Sequence, residues 1–166
     1  VMLSGETSVG KYPVEVIECM NDIIQCTEEK AYKYNRGQAP SEFSQTFIVD
    51  SLCYNASMMA TQSKATAIVL FTRSERAIYQ LAGHRPNAKI FAFTDDLTLI
   101  SKLSLLWGVK AFEFKFDKNI DGAISWSIEL LKKKLEIKTG DIVIHLGSTP
   151  LSERERLNML KITYVD

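Results

Sequence analysis

Thr72-Arg73-Ser74-Glu75-Arg76 is the stretch of this 166-residue chain best equipped for chemistry. It follows the apolar run Ala67-Ile68-Val69-Leu70-Phe71, which reads as a strand covered on both faces, and it opens a helix running to Leu81-Ala82. A helix N-terminus presents unpaired backbone N–H groups and a partial positive charge. Thr72 and Ser74 add hydroxyls, and Arg73 and Arg76 add cations. Together these groups suit a phosphate. The loop leaves the carboxyl end of a strand, where open α/β sheets bind ligands. Spacing alone favours a plainer alternative, a capped helix with solvated arginines.

Other reactive side chains offer less. Asp95-Asp96 has the charge for a metal, but its place before a helix reads as capping. His84 and His145 are far apart, with no serine or cysteine pattern that would make either a catalytic base. His145 sits inside an apolar strand and reads as a core residue with its polar atoms satisfied. Cys19, Cys26 and Cys53 are odd in number and lack a C-x-x-C pair. That argues against a disulfide framework or a zinc site and for ordinary thiols in a reducing compartment. No G-x-G-x-x-G follows the first strand and no Walker A loop is present, so neither nucleotide fingerprint applies.

The elements that must position the loop follow from hydrophobic pattern. Residues 13–34 read as a helix entered at Tyr12-Pro13, with Val16, Ile17, Met20, Ile23 and Ile24 on one face. A second helix is expected after Ser41, its stripe formed by Val49, Leu52, Cys53, Ala56 and Ala60. Met58 and Met59 read as core filler. Further strands are expected at 89–93, 109–114, 142–146 and 160–165. Helices follow Thr94-Asp95-Asp96 and span Asp117 to Leu135, the latter with acids early and Lys132-Lys133-Lys134 late. Strands alternating with helices predict a three-layer α/β/α sandwich with a mostly parallel five-stranded sheet, preceded by two helices. Val1-Met2-Leu3 reads as the end of a strand, and Ser4 to Lys11 as a polar loop. Twenty basic residues balance twenty acidic ones, which gives no pull toward nucleic acid or an anionic membrane. No apolar run reaches the roughly 18 residues a membrane span needs.

Met2-Leu3-Ser4-Gly5-Glu6-Thr7-Ser8-Val9-Gly10-Lys11-Tyr12-Pro13 resembles the M-L-S-G-E-T-A-x-G-x-Y-P segment of pyruvate kinases, with serine for alanine at position 8. Thr72-Arg73-Ser74, His84-Arg85-Pro86 and Phe93-Thr94 are similar to the family's T-R-S-G, Y-R-P and A-x-T patterns. Lys102 to Val109 looks like Q-L-x-L-x-W-G-V, and Lys138 to Val143 like K-x-G-D-x-V. Gly147 to Ile162 occupies the place of the family's glycine-rich ending.

The resemblance implies that residues 1–34 are the end of the last strand and the last helix of a TIM barrel, and that residues 35–166 are the carboxyl-terminal α/β domain. It implies that Ser4, Glu6 and Thr7 border the barrel active site. The whole enzyme would transfer phosphate from phosphoenolpyruvate to ADP with magnesium and potassium, in the cytoplasm. The catalytic lysine and metal ligands would lie in upstream barrel segments, so this piece would hold no metal or cofactor and would not catalyse. Its implied roles are regulation and assembly. Its partners would be the rest of the chain and further copies in a homo-tetramer, with no nucleic acid or membrane among them. Thr72, Arg73, Ser74 and Arg76 would receive a sugar-phosphate effector. Glu75 replaces the family's glycine, Ala77 loses a hydroxyl, and Leu151 to Asn158 lacks the glycines and the T-N pair, which puts standard fructose-bisphosphate activation in question. A stand-alone sugar-phosphate or nucleotide-binding module is the alternative. The helix face of Val16, Met20 and Ile23 is expected to need a cover, from a partner or from folding back.

Overall fold

The computed structural model describes residues 2–31, 37–117, 119–151 and 157–166. The chain divides into two compact units, Val1–Lys33 and Tyr34–Asp166.

The first unit holds a short helix α1 (Gly5–Ser8) and a long helix α2 (Pro13–Ala31). The expected polar loop therefore contains a helical turn. Its cause is local: the Ser4 carbonyl accepts from the Thr7 and Ser8 N–H groups, and the Gly5 carbonyl accepts from Val9 N–H. A side chain at position 10 would overlap the Glu6 carbonyl, so this tight exit needs Gly10. Met2 and Leu3 belong to no regular element, so the expected strand end does not form there; Val1 lies outside the described residues. Val16 and Met20 on α2 are partly buried, whereas Ile17, Ile23 and Ile24 are exposed.

The second unit runs α3 (Phe47–Ser63), β1 (Ala67–Phe71), α4 (Glu75–Gly83), β2 (Lys89–Thr94), α5 (Leu97–Leu103), β3 (Val109–Glu113), α6 (Ile120–Lys133), β4 (Ile142–Gly147) and β5 (Met159–Tyr164). The sheet order is β3-β2-β1-β4-β5. Four strands are parallel, and β5 joins β4 antiparallel, with Ile142 opposite Tyr164 and Gly147 opposite Met159. β1 is central and buried along its whole length, which accounts for its unbroken apolar run.

Alternation along the strands splits the core in two. Ile68, Leu70, Ile90, Ile144 and Leu146 face α3, α4 and α5, where Cys53, Ala56, Ala60, Ile78, Leu81, Leu99 and Leu103 meet them. Ala67, Val69, Phe71, Phe91, Phe93 and Val143 face Ala123, Ile124 and Leu131 of α6 on the other side. The three layers expected from the sequence are present. The α3 stripe packs as expected, with Val49, Leu52 and Met59 partly buried against the core.

Element ends shift for identifiable reasons. α3 begins at Phe47 rather than just after Ser41, because two successive turns come first: Ser44 N–H bonds the Ser41 carbonyl and Phe47 N–H bonds the Ser44 carbonyl. α6 starts at Ile120 rather than Asp117, because Asn119 caps it by accepting from Gly122 N–H at 2.8 Å. α6 closes before Leu135, which takes a left-handed backbone at φ 58°.

Candidate functional site

The loop between β1 and α4 sits where the strand order reverses. β1 sends its crossover toward β2, while its other neighbour, β4, is reached from the far side of the sheet. The loops leaving β1 and β4 therefore lie side by side at the carboxyl ends of adjacent parallel strands, the place where open α/β sheets hold ligands. Thr72 follows β1 directly, its Oγ1 accepting from Ser74 N–H at 2.8 Å. Ser74 is the N-cap of α4, in an extended conformation (φ −88°, ψ 112°), yet its hydroxyl makes no capping bond. The first-turn amides of α4 thus lack a side-chain cap, and an anion would find donors there. On the β4 side, Asn158 braces the loop: its Oδ1 accepts from Thr149 N–H at 2.7 Å and its Nδ2 donates to the Thr149 carbonyl at 3.0 Å. Residues 152–156 of the closing loop, where the family's glycines would fall, lie outside the described residues.

The charged side chains of the loop are engaged. Arg73 grips Asp95 with two nitrogens, Nε at 2.7 Å from Oδ1 and Nη2 at 2.5 Å from Oδ2, and its guanidinium lies 4.0 Å from the centre of the Phe116 ring. The bond to Asp95 raises the Arg73 pKa, so this cation stays charged. Arg76 donates to Thr46 Oγ1 at 2.7 Å and to Asp50 Oδ2 at 3.3 Å. Glu75 pairs with Lys102 at 3.3 Å. Thr72, Arg73 and Ser74 stay together on the loop, whereas Arg76 is held toward the start of α3. Each arginine already faces a carboxylate. A phosphate arriving here competes with Asp95 for Arg73 and with Asp50 for Arg76. Both arginines are partly exposed, so solvent screens these pairs and each is worth about 1 kcal/mol or less.

The sequence reads Asp95 only with Asp96, as a helix cap or metal candidate, and gives Asp50, Thr46 and Asn158 no site role. Asp95 is 22 positions from Arg73, Asp50 is 26 from Arg76 and Thr46 is 30 from Arg76, so no local pattern ties them to the loop. Of the acid pair, Asp96 caps α5 by accepting from Thr98 and Leu99 N–H, which agrees with the capping reading. Among the described residues no group of three or more His, Cys, Asp or Glu side chains is placed to hold a metal ion.

Ser4, Glu6 and Thr7 come together around α1. Ser4 Oγ donates to Glu6 Oε2 at 3.1 Å, and Thr7 Oγ1 donates to the Ser4 carbonyl at 3.0 Å. Backbone N–H and the Ser4 hydroxyl hold the Glu6 carboxyl below its usual range. Cys53 is buried and its thiol is pushed up to about 12, chiefly by desolvation and then by Asp50, so it is an inert core residue. His145 is fully buried, its Nε2 is 2.8 Å from Thr163 Oγ1, and its Nδ1 has no hydrogen-bond partner among the described residues. The core reading of His145 holds for its position, but only one of its two nitrogens is satisfied.

Residues 50–163 match the family model described as pyruvate kinase, alpha/beta domain. The chain belongs to the pyruvate kinase family. The matched span contains the whole of the Thr72–Arg76 loop and all five strands except the last residue of β5. Curated pyruvate kinases align beyond it. The chain is 30% identical to the pyruvate kinase of Geobacillus stearothermophilus over 98% of its own length and 28% of that protein. It is 29% identical to the chloroplastic pyruvate kinase isozyme G of Nicotiana tabacum over 99% of its length and 30% of that protein. The chain therefore spans less than a third of the length of these relatives. Its fold matches the crystal structure of a pyruvate kinase from Cryptosporidium parvum with a TM-score of 0.79 at 22% identity, covering all of this chain and 33% of that one. In the pyruvate kinase frame the five-stranded sheet is the carboxyl-terminal α/β domain.

Proposed function

We propose that this chain is the regulatory and assembly domain of a glycolytic pyruvate kinase, and that the β1–α4 loop is a phosphate seat for a sugar-phosphate effector. The observation that carries the reading is the α4 N-terminus without a side-chain cap, set beside Thr72, Arg73 and Ser74 at the point where strand order reverses. Assembly finds support in the edge strand β5, which leaves Ile162 and Tyr164 exposed. The full-length enzyme would transfer phosphate from phosphoenolpyruvate to ADP, with magnesium and potassium, as a cytoplasmic homo-tetramer. Among the described residues the acids nearest the seat are already engaged, Asp95 by Arg73 and Asp96 by the α5 amides. The metal chemistry belongs in this proposal to the rest of the enzyme. In the same reading the reacting lysine and acidic ligands lie there too.

Two outcomes test the reading. A coupled assay of these 166 residues with phosphoenolpyruvate, ADP, magnesium and potassium is expected to give no turnover above blank, and turnover that co-purifies with the chain would sink the assignment of catalysis to other segments. Calorimetry with fructose-1,6-bisphosphate tests the seat itself. Wild type is expected to bind weakly, because both arginines are already paired. Asp95→Asn frees Arg73 from its carboxylate and is expected to tighten binding at least tenfold, or roughly 1.4 kcal/mol. Glu75→Gly removes the charge next to the seat and is expected to act in the same direction. Its partner Lys102 already offsets part of that charge, so the gain should be the smaller of the two. Micromolar binding by wild type, or no change in either variant, would show that the carboxylates do not gate this seat.

A further inference from the structure

His84 caps the carboxyl end of α4 and is 5% exposed. Neither of its ring nitrogens has a hydrogen-bond partner among the described residues. Buried polar atoms in folded proteins are nearly always paired, so an imidazole left this way is an exception with a cost attached. Two neighbours close the ring in. Tyr54 of α3 meets it edge-on, with centroids 5.6 Å apart at 71°. The backbone of Gly37 lies against its Nδ1, so close that a Cβ at position 37 would overlap the ring. Only glycine permits this contact. Gly37 stands just inside the second compact unit, which begins at Tyr34, on the stretch by which the chain enters that unit.

We propose that His84 is a proton-sensitive latch on the entering segment Gly37–Pro40: the neutral ring packs against Gly37, and the protonated ring releases it. An imidazolium carries two N–H donors and a charge, and among the described residues the closed arrangement offers neither donor an acceptor. The surrounding charges do not remove that conflict. From α3, Asp50 and Tyr54 face this region, and Asp50 is already engaged by Thr46 and Arg76. Arg85, the next residue, sets its guanidinium 4.3 Å from the centre of the Trp107 ring. Gly37-Gln38-Ala39-Pro40 brings no titratable group. Asp50 and the α4 carboxyl end favour the charged ring, but desolvation is the larger effect and holds His84 below its ordinary 6.5. The direction follows. A group depressed in the closed state and ordinary in the open one gives closed-state stability that is complete above pH 6.5 and declines as pH falls below it. Each pH unit below that point favours opening by up to about tenfold, until the ring titrates in the closed state as well.

The test places a nitroxide at position 38 of the full-length protein through Gln38→Cys, with the exposed Cys19 and Cys26 changed to serine and the buried, inert Cys53 retained. Between pH 7.5 and 5.5 the ratio of mobile to immobile spin-label signal is expected to rise by up to about tenfold. His84→Phe should hold the ratio constant, and His145→Gln should leave the rise intact. A ratio that does not change with pH in wild type, or that changes equally in His84→Phe, overturns the latch. If His84→Phe does not fold, exchange of the ring C2 proton in wild type decides. A titration midpoint below 6.5 with slow exchange supports the latch, and an ordinary midpoint with free exchange overturns it.

Discussion

Phe93→Ala is expected to cost about 3–5 kcal/mol of folding stability, enough to threaten a domain whose total is about 5–15 kcal/mol. Phe93 is fully buried on β2, on the face covered by α6. Four rings surround it: Phe71 at 5.3 Å, Phe112 at 5.5 Å, Trp126 at 5.8 Å and Phe114 at 6.3 Å between centroids. Truncation removes its share of apolar burial and leaves a cavity. Because the neighbours are rigid rings fixed on β1, β3 and α6 and on the segment after β3, they have little freedom to collapse into it. Phe93→Leu keeps most of the volume and should cost clearly less. Urea denaturation followed by circular dichroism measures both. A loss for Phe93→Ala below about 1.5 kcal/mol would mean that this side of the sheet repacks freely, against what the ring geometry implies.

Acid is expected to destabilise the fold through His145 more than through any other histidine position. Desolvation, helped by the Lys161 charge, pushes its pKa from 6.5 down to about 4. The folded-state value lies below the unfolded one, so the neutral ring's contribution is complete above pH 6.5, declines as pH falls, and is gone by about pH 4. That depression corresponds to roughly 3–4 kcal/mol at most, of which about 2–3 kcal/mol should be lost between pH 7.5 and 4.5. His84 and the paired carboxyl of Glu136, which Lys110 and Lys89 hold below its usual range, push in the same direction. The His145 share is therefore read as the difference in pH dependence between wild type and His145→Leu. Thr163 keeps the Val143 carbonyl as an acceptor at 3.5 Å in that variant, so the substitution does not orphan its hydroxyl. Equal pH slopes in the two proteins would rule out a buried neutral His145.

The sequence alone determined the order and kind of the main elements, because each is a local pattern that needs no partner to be read. β1 could be placed to the residue: a strand buried on both faces must be apolar throughout, and Ala67 to Phe71 is. The α3 stripe, the Asp96 cap and the charge gradient of α6 are likewise written within a few neighbouring positions. The family could be read from collinear motifs for the same reason. The edges of elements were less legible, since competing turns around Ser44 and a cap at Asn119 decide them by single hydrogen bonds.

Tertiary structure alone decided what the candidate site can do. Sequence showed a loop with two cations and two hydroxyls; folding brought Asp95 and Asp50 to those cations across 22 and 26 positions. A carboxylate acts on a guanidinium through distance in space, and distance in space is fixed by which strands pair. The same holds for His84. Nothing in His84-Arg85-Pro86 announces a buried imidazole, and nothing in Gly37-Gln38-Ala39-Pro40 announces its cover. Burial depends on what packs over a residue, here a glycine 47 positions earlier whose missing side chain lets the backbone reach the ring.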